Sequence, residues 1–183
     1  IGSMGYLPQV FKKIENEKKL NIVYLGGSIT MGCNATRTEL RYVDRSAKWW
    51  QTNFPDAEIS YFNAGIGATT SQFGVARVQE HVLDKQPDLV FVEFSVNDSS
   101  SPLFMETYES LVRRLLKAES VKAVVLINNL FYDTGTNAQG IHNAIGLHYD
   151  LPIVSVRNYI FPEIQLGNVC LADYTADMLH PNR

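Results

Sequence analysis

The sequence predicts a single α/β domain built on a parallel sheet with helices on both faces. Three observations carry this. The chain has 183 residues, a length that suits one compact domain. Short apolar runs alternate along it with stretches of helical period. The third of these runs, DLVFVEFSV at 88–96, is apolar at almost every position, as a strand covered on both faces must be.

The elements follow in order. IVYL (22–25) reads as the first strand, and LRYVDRSAKWWQTNF (40–54) as a helix with Tyr42, Trp49 and Trp50 on its apolar side. EISYFNAG (58–65) is the second strand. A helix over about 72–84 brings Val75, Val78 and Val82 near helical spacing. After the third strand, residues 104–118 form a helix, KAVVLIN (122–128) a fourth strand, 137–149 a helix, and PIVSV (152–156) a short fifth strand. The C-terminal stretch reads as irregular or weakly helical. Right-handed crossovers make this alternation a doubly wound, three-layer α/β/α sheet of five parallel strands, flavodoxin-like in its order 2-1-3-4-5. No second domain, repeat or low-complexity linker interrupts it, so 1–183 is one domain.

Composition narrows the function classes. The chain is 45% hydrophobic, 11% aromatic and 19% charged, enough apolar material for a core without disulfides or metals. A net charge of −3 gives no basic footprint for nucleic acid or an anionic membrane surface. No run reaches the length of a membrane-spanning helix. The opening IGSMG reads as a cloning remnant over residues 1–4, so the sequence leaves both the secreted and the cytoplasmic compartment open. Cys33 and Cys170 lie far apart, without zinc or C-x-x-C spacing, and read as small, partly buried thiols, with a disulfide between them the less favoured reading.

Ligands in such sheets bind at the carboxyl ends of the strands. The first three strands are followed by GGSIT with Ser28, NAGIGATTS with Gly65 and Gly67, and SVND with Asn97 and Asp98. In the order 2-1-3-4-5 these strands are neighbours, so the three loops share one rim. Acyl transfer needs N–H donors where the oxyanion forms. The Ser28 backbone, a glycine of the second loop and the Asn97 side chain can supply them. Ser28 also needs a base. Of four histidines, His81 and His142 fall inside expected helices and His148 near a helix end. His180, in DMLHPN, has Asp177 three residues before it, a spacing that lets one turn bring carboxylate and imidazole together. Asp173 is a less natural partner. Asp98 reads as a structural residue that caps a turn or holds a loop.

Taken together, GGSIT (26–30), NAGIGATTS (63–71), FSVND (94–98) and DMLHPN (177–182) resemble the four blocks of the SGNH, or GDSL-type, hydrolase family. The resemblance spans nearly the whole chain. It implies Ser28 as nucleophile, Asp177 and His180 as the rest of a triad, and Ser28, Gly67 and Asn97 as the oxyanion hole, with no cofactor and no metal. The GGSIT and FSVND variants are similar to bacterial carbohydrate esterases that remove acetyl groups. The implied activity is therefore a short-chain serine esterase acting on an acetylated saccharide, with thioesterase or lysophospholipase chemistry as the enzymatic alternative. Two departures are a glycine where the family's first block has aspartate, and Ser95 where a glycine is common in the third. Family members usually continue with a helix after the histidine, so the resemblance implies a C-terminal segment or a further module beyond Arg183 and leaves the His180 loop in need of an anchor.

Other residues carry weaker expectations. Phe131 and Tyr132 follow the fourth strand near the same rim and are candidates for lining a substrate pocket. Asn128 is a candidate for binding substrate hydroxyls, against the alternative that it satisfies a strand end. One of Trp49 and Trp50 belongs to the core. Arg37, Glu39 and Arg41 read as a solvated helix entry. A different class of function also fits the glycine-rich loops: a non-catalytic module that holds an anion on backbone N–H groups. That reading gives Asp177 and His180 nothing to do.

Overall fold

The computed structural model describes residues 3–182. Its sheet has five strands, all parallel, in the order β2-β1-β3-β4-β5: β1 (Lys19–Gly26), β2 (Glu58–Gly65), β3 (Leu89–Glu93), β4 (Ala123–Asn128) and β5 (Ile153–Ser155). The helices are α1 (Leu7–Glu17), α2 (Ser28–Met31), α3 (Tyr42–Asn53), α4 (Ser71–His81), α5 (Pro102–Leu116), α6 (Gln139–His148) and α7 (Val156–Gln165).

Strand alternation divides the core in two. Val23, Leu25, Val90, Val92, Val124 and Leu126 face one layer, where Val78, Leu111, Leu115 and Ile145 of α4, α5 and α6 meet them. The intervening Ile22, Tyr24, Leu89, Ala123 and Val125 face the other, packed by Val10 and Ile14 of α1 and by Val43 and Trp50 of α3. Apolar side chains at successive positions of β1, β3 and β4 thus go to opposite faces, and both faces are covered. That is the physical reason for the continuous apolar runs.

Several elements differ from expectation: β1 begins at Lys19 rather than Ile22, and α7 makes a regular helix of Val156–Gln165, in a stretch that reads as irregular or weakly helical. The helix α1 is additional: Leu7, Val10, Phe11 and Ile14 recur at helical spacing, and it packs against β1 and β4. The third strand ends at Glu93 rather than at residue 96, because the N–H groups of Asn97 and Asp98 both donate to the Phe94 carbonyl, at 3.0 and 2.9 Å. The resulting tight turn lifts Asn97 to the rim instead of continuing the ladder. Trp50 is core, whereas Trp49 is about half exposed. Cys33 and Cys170 are both free.

Candidate active site

The register levels the ends of the first three strands: Gly26 lies opposite Gly65 on one side and Glu93 on the other. The loops leaving them therefore meet. Ser28 opens the short helix α2, directly after the turn Gly26-Gly27, and is almost buried. Two glycines make the approach of backbone possible. A Cβ on Gly27 would stand 2.4 Å from Asn97 Oδ1, and one on Gly65 only 2.2 Å from the Met31 backbone nitrogen. Any side chain at Gly65 would push α2, and Ser28 with it, off the end of β2.

His180 Nε2 lies 2.7 Å from Ser28 Oγ, and Asp177 Oδ2 accepts the His180 Nδ1–H at 2.6 Å. The turn that joins them is tied by its own acid. Asp177 Oδ1 accepts the backbone N–H of Leu179 at 3.0 Å and of His180 at 2.8 Å, and Met178, between Asp177 and Leu179, turns the chain at φ 61°. Burial alone would raise the Asp177 pKa. The hydrogen bonds from the His180 ring and from the His180 and Leu179 backbone outweigh it and hold the carboxylate well below the usual range. Asp177 is thus a fixed acceptor for the His180 Nδ1–H and leaves Nε2 facing the Ser28 hydroxyl.

The three expected oxyanion donors converge on the same place. The Ser28 backbone N–H is at the free first turn of α2. Gly67 stands beside Ser28: a Cβ added to it would lie 4.0 Å from Ser28 Cβ and 3.5 Å from the Met31 methyl. Asn97 has its Oδ1 buried against Gly27 without a partner, which leaves the NH₂ arm of its amide as the available donor.

The other candidates behave differently. Asn128 is fully buried on β4, its Nδ2 donating to Asn143 Oδ1 at 2.8 Å, so its side chain is closed to a ligand. Tyr132 is also buried, and its backbone N–H donates to the Met178 carbonyl at 2.8 Å. Its segment braces the Asp177–His180 turn instead of opening a pocket. Phe131 is half-buried beside it. Further ties come from the Thr175–Pro181 bridge and from the Asn182 N–H to the Tyr174 carbonyl at 2.8 Å. These contacts tie the His180 loop to the segments around Tyr132 and Tyr174.

Several residues that support the site carry no local sequence signal. Asn34, at φ 63°, donates Nδ2 to Asp177 Oδ2 at 2.9 Å. Asn63 donates to the Thr30 carbonyl at 2.8 Å and accepts the Gly65 N–H at 2.9 Å, joining the second loop to α2. Buried Arg77 reaches from α4 to the carbonyls of Ala64, at 2.7 Å, and Gly26, at 3.1 Å. Burial lowers its pKa to about 10, so it stays charged under the first loop. Glu93, wholly buried, lies beneath α2 within 3.4 Å of Thr30 Oγ1 and 3.5 Å of Ser95 Oγ.

A serine aligned with a histidine and an aspartate at the carboxyl edge of this parallel sheet is paralleled in known proteins. The GDSL-like lipase/acylhydrolase family matches residues 24–183. The chain belongs to that family. Its five-stranded parallel sheet flanked by helices is the SGNH hydrolase fold. A two-domain esterase (CEX) active on acetylated mannans superposes with a TM-score of 0.96 at 47% identity, over 99% of this chain and 49% of that one. The chain therefore spans about half the length of that esterase. Axe2, an acetylxylan esterase from Geobacillus stearothermophilus solved as a catalytic mutant, matches with a TM-score of 0.73 at 19% identity, over 89% of this chain and 87% of that one. LAE5, an alpha/beta hydrolase from the metagenome of Lake Arreo, Spain, matches with a TM-score of 0.72 at 20% identity, over 89% and 88%. At these identities Axe2 and LAE5 speak for the fold alone. Comparison with curated proteins returns no significant match.

Proposed function

We propose that this chain is a serine esterase that removes O-acetyl groups from carbohydrate. The observation that carries the reading is the unbroken relay from Ser28 Oγ through His180 to Asp177, at 2.7 and 2.6 Å, beside three N–H donors. The likeness to an esterase active on acetylated mannans, at 47% identity over 99% of this chain, supports the saccharide ester as substrate.

In this reading Ser28 Oγ attacks the acetyl carbonyl carbon while its proton passes to His180 Nε2. Asp177 holds Nδ1–H and stabilises the imidazolium that forms. The carbonyl oxygen, now an oxyanion, is held by the Ser28 and Gly67 N–H groups and the Asn97 amide. The tetrahedral intermediate collapses, the sugar oxygen leaves with the proton from His180, and an acetyl-Ser28 ester remains. Water then gives its proton to His180 Nε2 and attacks that ester. Collapse releases acetate and returns the proton to Ser28. An anion-binding module would have no use for an imidazole aligned on the serine.

The test is hydrolysis of p-nitrophenyl acetate, butyrate and octanoate by the wild type and by Ser28→Ala and His180→Ala. Turnover that falls with acyl length and vanishes in both variants is expected, followed by acetate release from acetylated mannan or xylan. Near-wild-type rates in either variant would sink the mechanism. A preference for octanoate would move the substrate from sugar acetates to lipid-like esters.

A further inference from the structure

A second aspartate–histidine pair lies just behind the oxyanion donors, and the mechanism above does not use it. The side chains of Asp98 and His142 are both wholly buried, and His142 Nε2 lies 3.1 Å from Asp98 Oδ2. Asp98 is the residue after Asn97. Its other oxygen, Oδ1, accepts the backbone N–H of Ser71 at 2.9 Å. Ser71 begins α4 and ends the loop that carries Gly67. One carboxylate is thus bonded in sequence to one oxyanion donor and hydrogen-bonded to the end of the loop that presents another.

The pair is itself held from the far side. His142 comes from α6, and its ring stacks on Tyr108 of α5, with centroids 3.6 Å apart and planes 9° from parallel. Ser71 Oγ meets Thr107 Oγ1 at 2.8 Å, so α5 also grips the start of α4. Burial pushes the His142 pKa down, against the opposing pull of Asp98. Its Nδ1 is buried without a partner, so the single ring proton belongs on Nε2, facing the carboxylate.

This arrangement is costly. A buried carboxylate needs well-placed donors, and here the His142 Nδ1 and the Tyr108 hydroxyl are both left without partners in the core. Apolar side chains would join α5 and α6 at lower cost. What they could not do is fix the direction of the chain at Asn97 and Ser71 together.

We propose that Asp98 and His142 are a positioning pair that sets Asn97 and the Gly67 loop at the right separation to receive the oxyanion. The pair touches no reacting atom, and the proposal rests on the reading of Ser28 as an esterase nucleophile. Asp98 supplies the common anchor, and His142 holds its second oxygen so that the first stays on Ser71.

The test is a double-mutant cycle on p-nitrophenyl acetate hydrolysis, with kcat and KM measured for wild type, Asp98→Asn, Asp98→Ala, Asn97→Ala and the combined variants. Removing an oxyanion donor costs on the order of 10²–10³ in rate, and misaiming donors forfeits part of that. Asp98→Ala is expected to lower kcat about 30-fold with KM within about twofold of wild type. Asp98→Asn, which keeps an acceptor for Ser71, should recover part of the loss. In the Asn97→Ala background the same Asp98 changes should cost only about threefold, since one of the two donors they aim is gone and only the Gly67 loop remains to be misplaced.

Equal losses in both backgrounds, a loss carried by KM, or an unchanged kcat in Asp98→Ala would each overturn the proposal. Should Asp98→Ala fail to fold, Asp98→Asn carries the cycle. If the wild type turns over no ester, the esterase reading fails by itself. The pair is then judged by the ¹⁵N–¹H resonances of the Gly67 N–H and the Asn97 side-chain amide in Asp98→Asn. Displacement of both supports the positioning role, and unmoved resonances refute it.

Discussion

Glu93 gives the site a measurable dependence on pH. Its carboxyl is wholly buried at the end of β3 beneath α2. Burial raises its pKa from 4.5 to about 7, against hydrogen bonds from Asn129, Thr30 and Ser95 that lower it. Folding therefore favours the protonated form. Below pH 4.5 both the folded and the unfolded chain hold the proton, and Glu93 contributes its full share of stability. As pH rises the unfolded chain ionises first, and stability is lost until the folded carboxyl also ionises near pH 7. At about 1.4 kcal/mol for each unit of pH, the span from 4.5 to about 7 amounts to about 3 kcal/mol. Glu93→Gln removes the titration while keeping the shape. Urea unfolding of both proteins at about pH 5 and about pH 8.5 isolates the effect, because every other ionisable group cancels in the difference. The variant should gain roughly 2–3 kcal/mol on the wild type between those two conditions. A difference in unfolding free energy that stays constant with pH would show that Glu93 ionises normally in the folded protein and refute the reasoning.

Three further outcomes follow from contacts at the site. Asn97→Ala should lower kcat by roughly 10²–10³ with little change in KM, as steady-state kinetics on an activated acetate will show. Asn34→Ala removes one of the two donors to Asp177 Oδ2 and should lower kcat roughly fivefold, with the circular dichroism spectrum unchanged. Gly65→Ala would place a methyl 2.2 Å from the Met31 backbone nitrogen and 2.6 Å from the Thr30 backbone carbon, neither of which can swing aside. It should cost about 2–3 kcal/mol in chemical denaturation and reduce turnover as α2 shifts.

The sheet was legible because its physics is local. Val90, Val92, Val124 and Leu126 must be apolar for one layer, and Leu89, Ala123 and Val125 for the other, so burial on both faces writes itself into a run of adjacent residues. The placement of Ser28, Gly67 and Asn97 was legible for a related reason: each follows a strand, and parallel neighbours must release their loops at one edge. The helix α1 also carries a readable pattern in Leu7, Val10, Phe11 and Ile14, although it is not among the expected elements. The supporting contacts leave no such trace. Asn34 meets Asp177 across 143 positions, Arg77 meets Gly26 across 51, and Asp98 meets His142 across 44. No period or motif encodes a hydrogen bond between residues that only the fold brings together. Asn128 shows the converse error. A strand-end amide looks available in the sequence, and only the packing of β4 against α6 reveals that it is enclosed with Asn143.

Among the described residues there are two aspartate–histidine pairs, and their surroundings suit them to opposite work. Asp177 and His180 lie three residues apart on one turn at the rim, where the His180 side chain keeps 16% of its surface exposed and its Nε2 meets a hydroxyl. A base in a catalytic cycle must accept a proton, carry charge briefly and give the proton up to a leaving oxygen. Partial contact with water and a carboxylate on Nδ1 make that charge affordable. Asp98 and His142 have no exposed side-chain surface, and the Nε2 of His142 is turned to its own carboxylate, away from any substrate oxygen. Protonating that ring would put a second N–H into a core that offers Nδ1 no acceptor. Such a pair is poorly placed to serve as a base, whereas its fixed hydrogen bonds suit a donor array whose geometry is set before the oxyanion forms. Ser71→Ala would keep the backbone N–H to Asp98 but release the hydroxyl from Thr107, so its kcat should fall by less than the roughly 30-fold expected of Asp98→Ala.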